Sequence, residues 1–295
     1  MGLNAKELRT AKNEYAMVCR IEGKSISTID HYQSAIKLYI KSLGSGELTP
    51  GTIRSFLSGL QDDHKITTVS SYCRALRAFC HFLLREDWIE VDPMRDIRTP
   101  KVPRKFPLVL SEEDITELLS VAKRNPRDYA ILLFLLDTGV RASELITLQI
   151  DDVDLSAMSA KVFGKGGKSR TVFFSYTTTK ALARWKAKRP NIPHEHAFFL
   201  SQRGGELTVS GLRLMLKRLQ ARSTVKDKKV CPHVLRHCFA SMYAKEGGDP
   251  HSLAALMGHT STKMAEVYVH MAGRDLARSH RRWSPVETLR NEGRC

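Results

Sequence analysis

No stretch of this chain is apolar for long enough to cross a bilayer. The longest such run, 129–136, ends at Asp137, well short of the roughly 20 residues a membrane helix needs. The first residues show no apolar core of a secretory signal, so a cytoplasmic protein with no membrane partner is expected. Cysteine is sparse, six in 295 residues, and its spacing offers no disulfide framework; reduced, packing cysteines are expected. Cys231, His233, His237 and Cys238 do crowd two thiols and two imidazoles together. On one helix, however, His233 and His237 share a face that Cys231 does not join, and no second pair completes a tetrahedron, so no metal is expected there. Internal repeats and low-complexity tails are also missing, which removes solenoids and disordered arrays.

Negative charge is the other shortage. The chain carries 47 Lys+Arg against 31 Asp+Glu, a formal net charge of +16, and nucleic acid is the polyanion such a protein most often meets. The excess is uneven: residues 1–100 hold 14 basic and 12 acidic side chains, the remainder 33 and 19. With 42% hydrophobic and 26% charged residues the chain can fill two cores, and its length suits two domains.

Apolar residues recur at helical spacing four times in the first 90 residues. Leu8, Ala11, Tyr15, Val18 and Cys19 mark one helix. Ile29, Tyr32, Ala35, Ile36 and Tyr39 mark a second, capped by Ser25 or Ser27. Ile53, Phe56, Leu57 and Leu60 follow the Thr49-Pro50 start signal, and Val69, Tyr72, Leu76, Phe79 and Phe82 complete the set. A compact helical domain over 1–90 is expected. Its polar positions Thr67, Thr68, Ser70, Ser71, Arg74 and Arg77 suit either a DNA backbone or plain solvent. Between 91 and 110, four prolines alternate with Arg95, Arg98, Lys101, Arg104 and Lys105, which predicts a stiff basic linker lying along phosphates.

The second domain, 111–295, opens on the capping box Ser111-Glu-Glu-Asp114. A nearly all-apolar helix over about 127–137 then delivers Thr138-Gly139-Val140-Arg141, with Glu144 three residues on. Arg141 thus stands between a helix end broken by Gly139 and the start of the next helix, where side-chain and backbone donors can face one anion. Strand-like segments at 160–163 and 170–174 flank Gly164-Lys165-Gly-Gly-Lys168, a hairpin tip that presents two lysines. His233-Val-Leu-Arg236 puts an imidazole and a guanidinium on one helix face. The guanidinium is a permanent fork for phosphate oxygens, and the imidazole exchanges protons near neutral pH. A helix after Pro250 is stopped by Gly258, so His259 lies just past its end. Tyr268 sits among Met264, Val267 and Met271, a pattern that suits core packing as well as a reactive phenol.

In this order, Arg141, Lys165, His233-x-x-Arg236, Gly258-His259 and Tyr268 resemble the tyrosine recombinase family, the phage integrase and Xer-like enzymes, over roughly residues 10–285. The resemblance implies a mainly α fold with a small antiparallel sheet: an N-terminal four-helix SAM-like core-binding domain and a C-terminal α+β catalytic domain that clamp double-stranded DNA. It implies Arg141 and Arg236 as phosphate clamps with His259, Lys165 as the acid for the leaving oxygen, His233 as the proton acceptor and Tyr268 as the nucleophile. Lys168 is an alternative acid on the same tip and, with Arg74, Arg77, Arg104 and Lys105, a DNA-contact candidate. Neither ATP, metal nor other cofactor is implied, because the bond energy is held in a phosphotyrosyl link. A homotetramer around two duplexes is implied as the working assembly, with Leu276, His280 and Trp283 in an element exchanged between neighbours.

Overall fold

The computed structural model describes residues 2–103, 108–164 and 167–258. The chain divides into two units, Met1–Lys105 and Phe106–Cys295.

The first unit is built on α1 (Ala5–Ile21), α2 (Ile26–Leu43), α3 (Pro50–Asp63) and α4 (Ile66–Arg85). Each of the first three starts on a side chain that satisfies orphan amides. Asn4 accepts from Lys6 and Glu7 while Glu7 returns to the Asn4 amide, Ser25 rather than Ser27 caps α2, and Thr49 caps α3 with Pro50 at its first position. The apolar faces meet in a core that includes Leu8, Tyr15, Ile36, Ile53, Leu76 and Phe79. Burying each such side chain contributes about 1.5–3 kcal/mol.

Two expectations change here. Met94 and Ile97 are buried in this same core, so part of the segment expected as linker is docked on the helical unit. Ser70 is also buried, at 4% exposure, because it sits one position from Val69 on the inward face of α4; it leaves the polar face assigned to it.

The second unit runs α5 (Glu112–Ala122), α6 (Pro126–Thr138), α7 (Ala142–Ile146), then a sheet of β1 (Val153–Asp154), β2 (Ser159–Phe163) and β3 (Ser169–Phe173), followed by α8 (Tyr176–Lys188), α9 (Val209–Arg222), α10 (Pro232–Lys245) and α11 (Pro250–Met257). The sheet is antiparallel in the order β1-β2-β3. Its β2–β3 register, from Ser159 opposite Phe173 to Phe163 opposite Ser169, makes 164–168 the hairpin connection. The centre of the unit is α6, whose Ala130, Ile131, Leu132, Phe134 and Leu135 are fully buried and which packs against α8 and α10. A charged pair lies inside its first turn: Arg127 donates to Asp128 and to the Leu200 carbonyl, so neither polar group is left unsatisfied.

Candidate active site

Helix α6 ends at Gly139, which takes the left-handed conformation at φ 59°. A side chain there is doubly excluded. The conformation favours glycine, and a Cβ would lie 2.2 Å from Cδ1 of Phe239 on α10. The close approach brings α10, with His233 and Arg236, against the end of α6. Two residues later Arg141 starts α7, and Glu144 lies one turn on.

Glu144 has no exposed surface and is enclosed by cations and an amide. Its oxygens accept from the Arg141 backbone amide at 2.7 Å and Arg141 Nη1 at 2.8 Å. Arg170 of β3 adds a two-pronged contact, Nη1 to Oε1 at 2.7 Å and Nη2 to Oε2 at 3.0 Å. Burial alone would push this carboxyl up. The hydrogen bonds and charge of Arg170 and the donors of Arg141 outweigh it and bring the pKa down to about 2.

A second convergence occurs at the C-terminal end of α11, where helix carbonyls lack intrahelical partners and the dipole is negative. Three successive carbonyls there each accept from a different guanidinium. Leu256 accepts from Arg170 Nε at 2.8 Å, Met257 from Arg236 Nη2 at 2.7 Å, and Gly258 from Arg141 Nη2 at 3.1 Å. Arg236 also donates to the Gly139 carbonyl, tying the end of α6 to the end of α11. Gly258 is again left-handed, and a Cβ on it would press on the Arg170 side chain at 3.0 Å. Arg141, Arg170 and Arg236 are thereby gathered at the point from which the chain continues to residue 259.

One turn before Arg236, His233 stands at the exposed start of α10, edge-on to His237 with ring centroids 4.2 Å apart. Partial desolvation, and then the neighbouring Arg236 charge, push the His233 pKa below the ordinary histidine value.

Residues 109–274 match the phage integrase family. The chain belongs to that family of tyrosine recombinases. It is similar to Tyrosine recombinase XerD of Listeria monocytogenes serotype 4b (strain F2365), 31% identical over 281 residues, which cover 89% of this chain and 94% of the relative. Tyrosine recombinase XerC of Bacillus pumilus (strain SAFR-032) is 33% identical over 274 residues, 87% of this chain and 90% of the relative. The crystal structure of XerA recombinase matches with a TM-score of 0.56 at 28% identity, covering 92% of this chain and 98% of that one. XerH site-specific recombinase bound to palindromic difH substrate shares the fold with a TM-score of 0.74 at 20% identity, covering 96% and 85%.

Of the residues singled out in this tyrosine recombinase by sequence, Arg141, His233 and Arg236 lie within the described part, and Arg141 and Arg236 share the end of α11. Lys165, His259 and Tyr268, with Arg104 and Lys105, lie outside the described residues, as do Leu276, His280 and Trp283. Lys168 is exposed at the base of the hairpin, where its carbonyl accepts from the Gly164 amide at 2.8 Å. Arg74 is exposed on α4, whereas Arg77 is half-buried and its guanidinium is turned onto the Ile97 carbonyl, so it holds the docked 94–97 segment.

The residue that sequence reasoning missed is Arg170. Its signal was present in the alternation of β3, where Arg170 shares a face with buried Val172. A cation at an inward strand position calls for a buried counter-charge, and Glu144 supplies it.

Proposed function

We propose that this chain is a site-specific DNA recombinase that breaks and rejoins strands through a 3′-phosphotyrosyl intermediate on Tyr268. The observation that carries the reading is the gathering of Arg141 and Arg236 on adjacent carbonyls, immediately before His259. Two guanidinium forks held rigidly by buried partners are preorganised for the charge that grows on a phosphodiester under attack. In the proposed step the Tyr268 oxygen bonds to phosphorus and the P–O5′ bond breaks. His233 takes the phenolic proton, Lys165 gives one to the departing 5′-oxygen, and Arg141, Arg236 and His259 hold the phosphoryl oxygens. The freed 5′-hydroxyl of a partner strand then reverses the step, which conserves the bond energy without ATP. Exposed Lys168 and Arg74 serve as backbone contacts to the duplex. Four protomers around two duplexes form the proposed working assembly.

A nicked duplex that loses its short 5′ fragment after cleavage traps the intermediate. The expected product is a covalent protein–DNA adduct whose attachment maps to the peptide containing Tyr268; an adduct on another residue, or none with folded protein that binds the duplex, overturns the reading. Nicking and resealing by a single protomer, as in a type IB topoisomerase, shares this chemistry. The N-terminal helical unit supports recombination instead, and synapsis of two duplexes by the protein separates the two.

The role of His233 has a pH signature. A proton acceptor must be neutral, and the lowered pKa keeps it neutral to more acid conditions than an ordinary histidine at 6.5. The acid limb of single-turnover cleavage is expected to have its half-maximum below pH 6.5, with that limb absent in His233→Gln. A half-maximum at or above pH 6.5 in the wild type removes His233 from the role.

A further inference from the structure

The geometry points to a DNA-backbone track within the first unit, a basic groove between α1 and α2 that grips phosphodiesters and is built from none of the cleavage residues. The groove holds about 460 Å³ and is lined by Arg9 and Lys12 from α1 and Lys37 and Lys41 from α2, over an aliphatic floor of Leu38 and Ile40. Among the described residues no carboxylate lines it. Among the described residues, no ion pair involves any of the four cations.

That concentration is unexpected from composition, because residues 1–100 are nearly balanced in charge. The acidic side chains of α1 are turned elsewhere. Glu7 is engaged on the Asn4 amide, and Glu14 lies about 140° and 200° round the helix from Arg9 and Lys12. Lys37 and Lys41, one turn apart, repel each other, as do the pairs across the groove. A polyanion relieves that repulsion, and the aliphatic floor suits the sugar edges between phosphates.

The groove is distinct from the α2–α4 face that carries Arg74. Gln33 ties α2 to α1 through the Lys12 carbonyl at 2.9 Å, while His31 ties α2 to α4 through Ser71 at 2.9 Å. Positions 31 and 33 are about 200° apart round the helix, so the two faces flank α2 on opposite sides. A recombinase holding a duplex on the α4 side therefore presents a second, independent row of cations. This inference rests on DNA being the partner and goes beyond the proposed chemistry.

The test is a salt titration of duplex binding by the full chain and by the combined variant Arg9→Gln, Lys12→Gln, Lys37→Gln, Lys41→Gln. Each neutralised phosphate contributes about 0.9 to the slope of log Kobs against log salt. A groove that takes two to four phosphates should flatten the slope by about 2 to 4, while adduct yield at saturating protein stays at the wild-type level. Should the combined variant melt early, the exposed pair Lys37→Gln, Lys41→Gln is read instead and should give about half the change. An unchanged slope overturns the inference. So does an unchanged slope with loss of protein self-assembly, which would assign the groove to a contact with a second copy of the chain. A wild-type protein that forms no adduct defeats the recombinase chemistry but leaves the slope comparison readable.

Discussion

Replacing Glu144 with alanine is expected to lower the stability of the second unit by about 3–5 kcal/mol, the cost of leaving buried charge without its partner. Glu144 is the carboxylate on which Arg141 and Arg170 both close, and it has no exposed surface. Without it, two guanidiniums face each other and Arg236 at the end of α11 with the charge balance gone. The carboxyl's pKa expresses the same interactions: held at about 2 against an ordinary 4.5, it corresponds to about 3 kcal/mol of folding free energy. Because the folded-state value is the lower one, that contribution is present above pH 4.5 and is lost as pH falls toward 2. Denaturant melts across this range check both points. Glu144→Ala should melt early at neutral pH, and Glu144→Gln, which keeps the shape without the charge, should lack this acid-side loss. A Glu144→Ala protein within about 1 kcal/mol of wild type would show that the three arginines are held by something other than this carboxylate.

The parts of this architecture that were legible in the sequence are those whose signals are local. Helical spacing located α1–α4, with the caps at Ser25 and Thr49 marking the starts of α2 and α3. Ser111-x-x-Asp114 started α5, and Gly139 and Gly258 announced helix ends, which the structure shows in the left-handed conformation at φ 59° and 64°. Glu144 was readable as a brace for Arg141 because it lies one turn away on the same short helix. Arg170 was not, since its contact with Glu144 spans 26 residues and exists only once the β2–β3 register turns that side chain inward. Docking of Met94 and Ile97 on the helical core was hidden for a related reason: two apolar residues in a proline-rich segment carry no periodicity, and prolines signal only that no helix runs there. The convergence of three guanidiniums on Leu256, Met257 and Gly258 joins α7, β3 and α10 to α11, and no spacing rule spans such distances.

Arg141→Ala is expected to lose roughly 100- to 1000-fold in the rate of strand cleavage, the effect of deleting one preorganised donor to a developing oxyanion. Of the three arginines, Arg141 is the most exposed. Arg170 has every guanidinium nitrogen committed to Glu144 or Leu256 and its side chain is 15% exposed, so it braces. Arg236 is 5% exposed, with both terminal nitrogens on carbonyls. The Arg141 side chain is 39% exposed, and its contacts to Glu144 and Gly258 leave the rest of its five-donor fork to face a phosphate. Its removal leaves Glu144 gripped on both oxygens by Arg170, so stability should fall by only about 0–1 kcal/mol. Single-turnover cleavage of a saturating nicked duplex, read beside a melting curve, tests the pair of expectations. Arg141→Lys should restore little of the rate, because a point charge cannot replace a planar fork. A rate within tenfold of wild type would strip Arg141 of its part in the chemistry. A loss of stability equal to that of Glu144→Ala would instead place Arg141 among the braces, leaving Arg236 as the guanidinium that meets the phosphate.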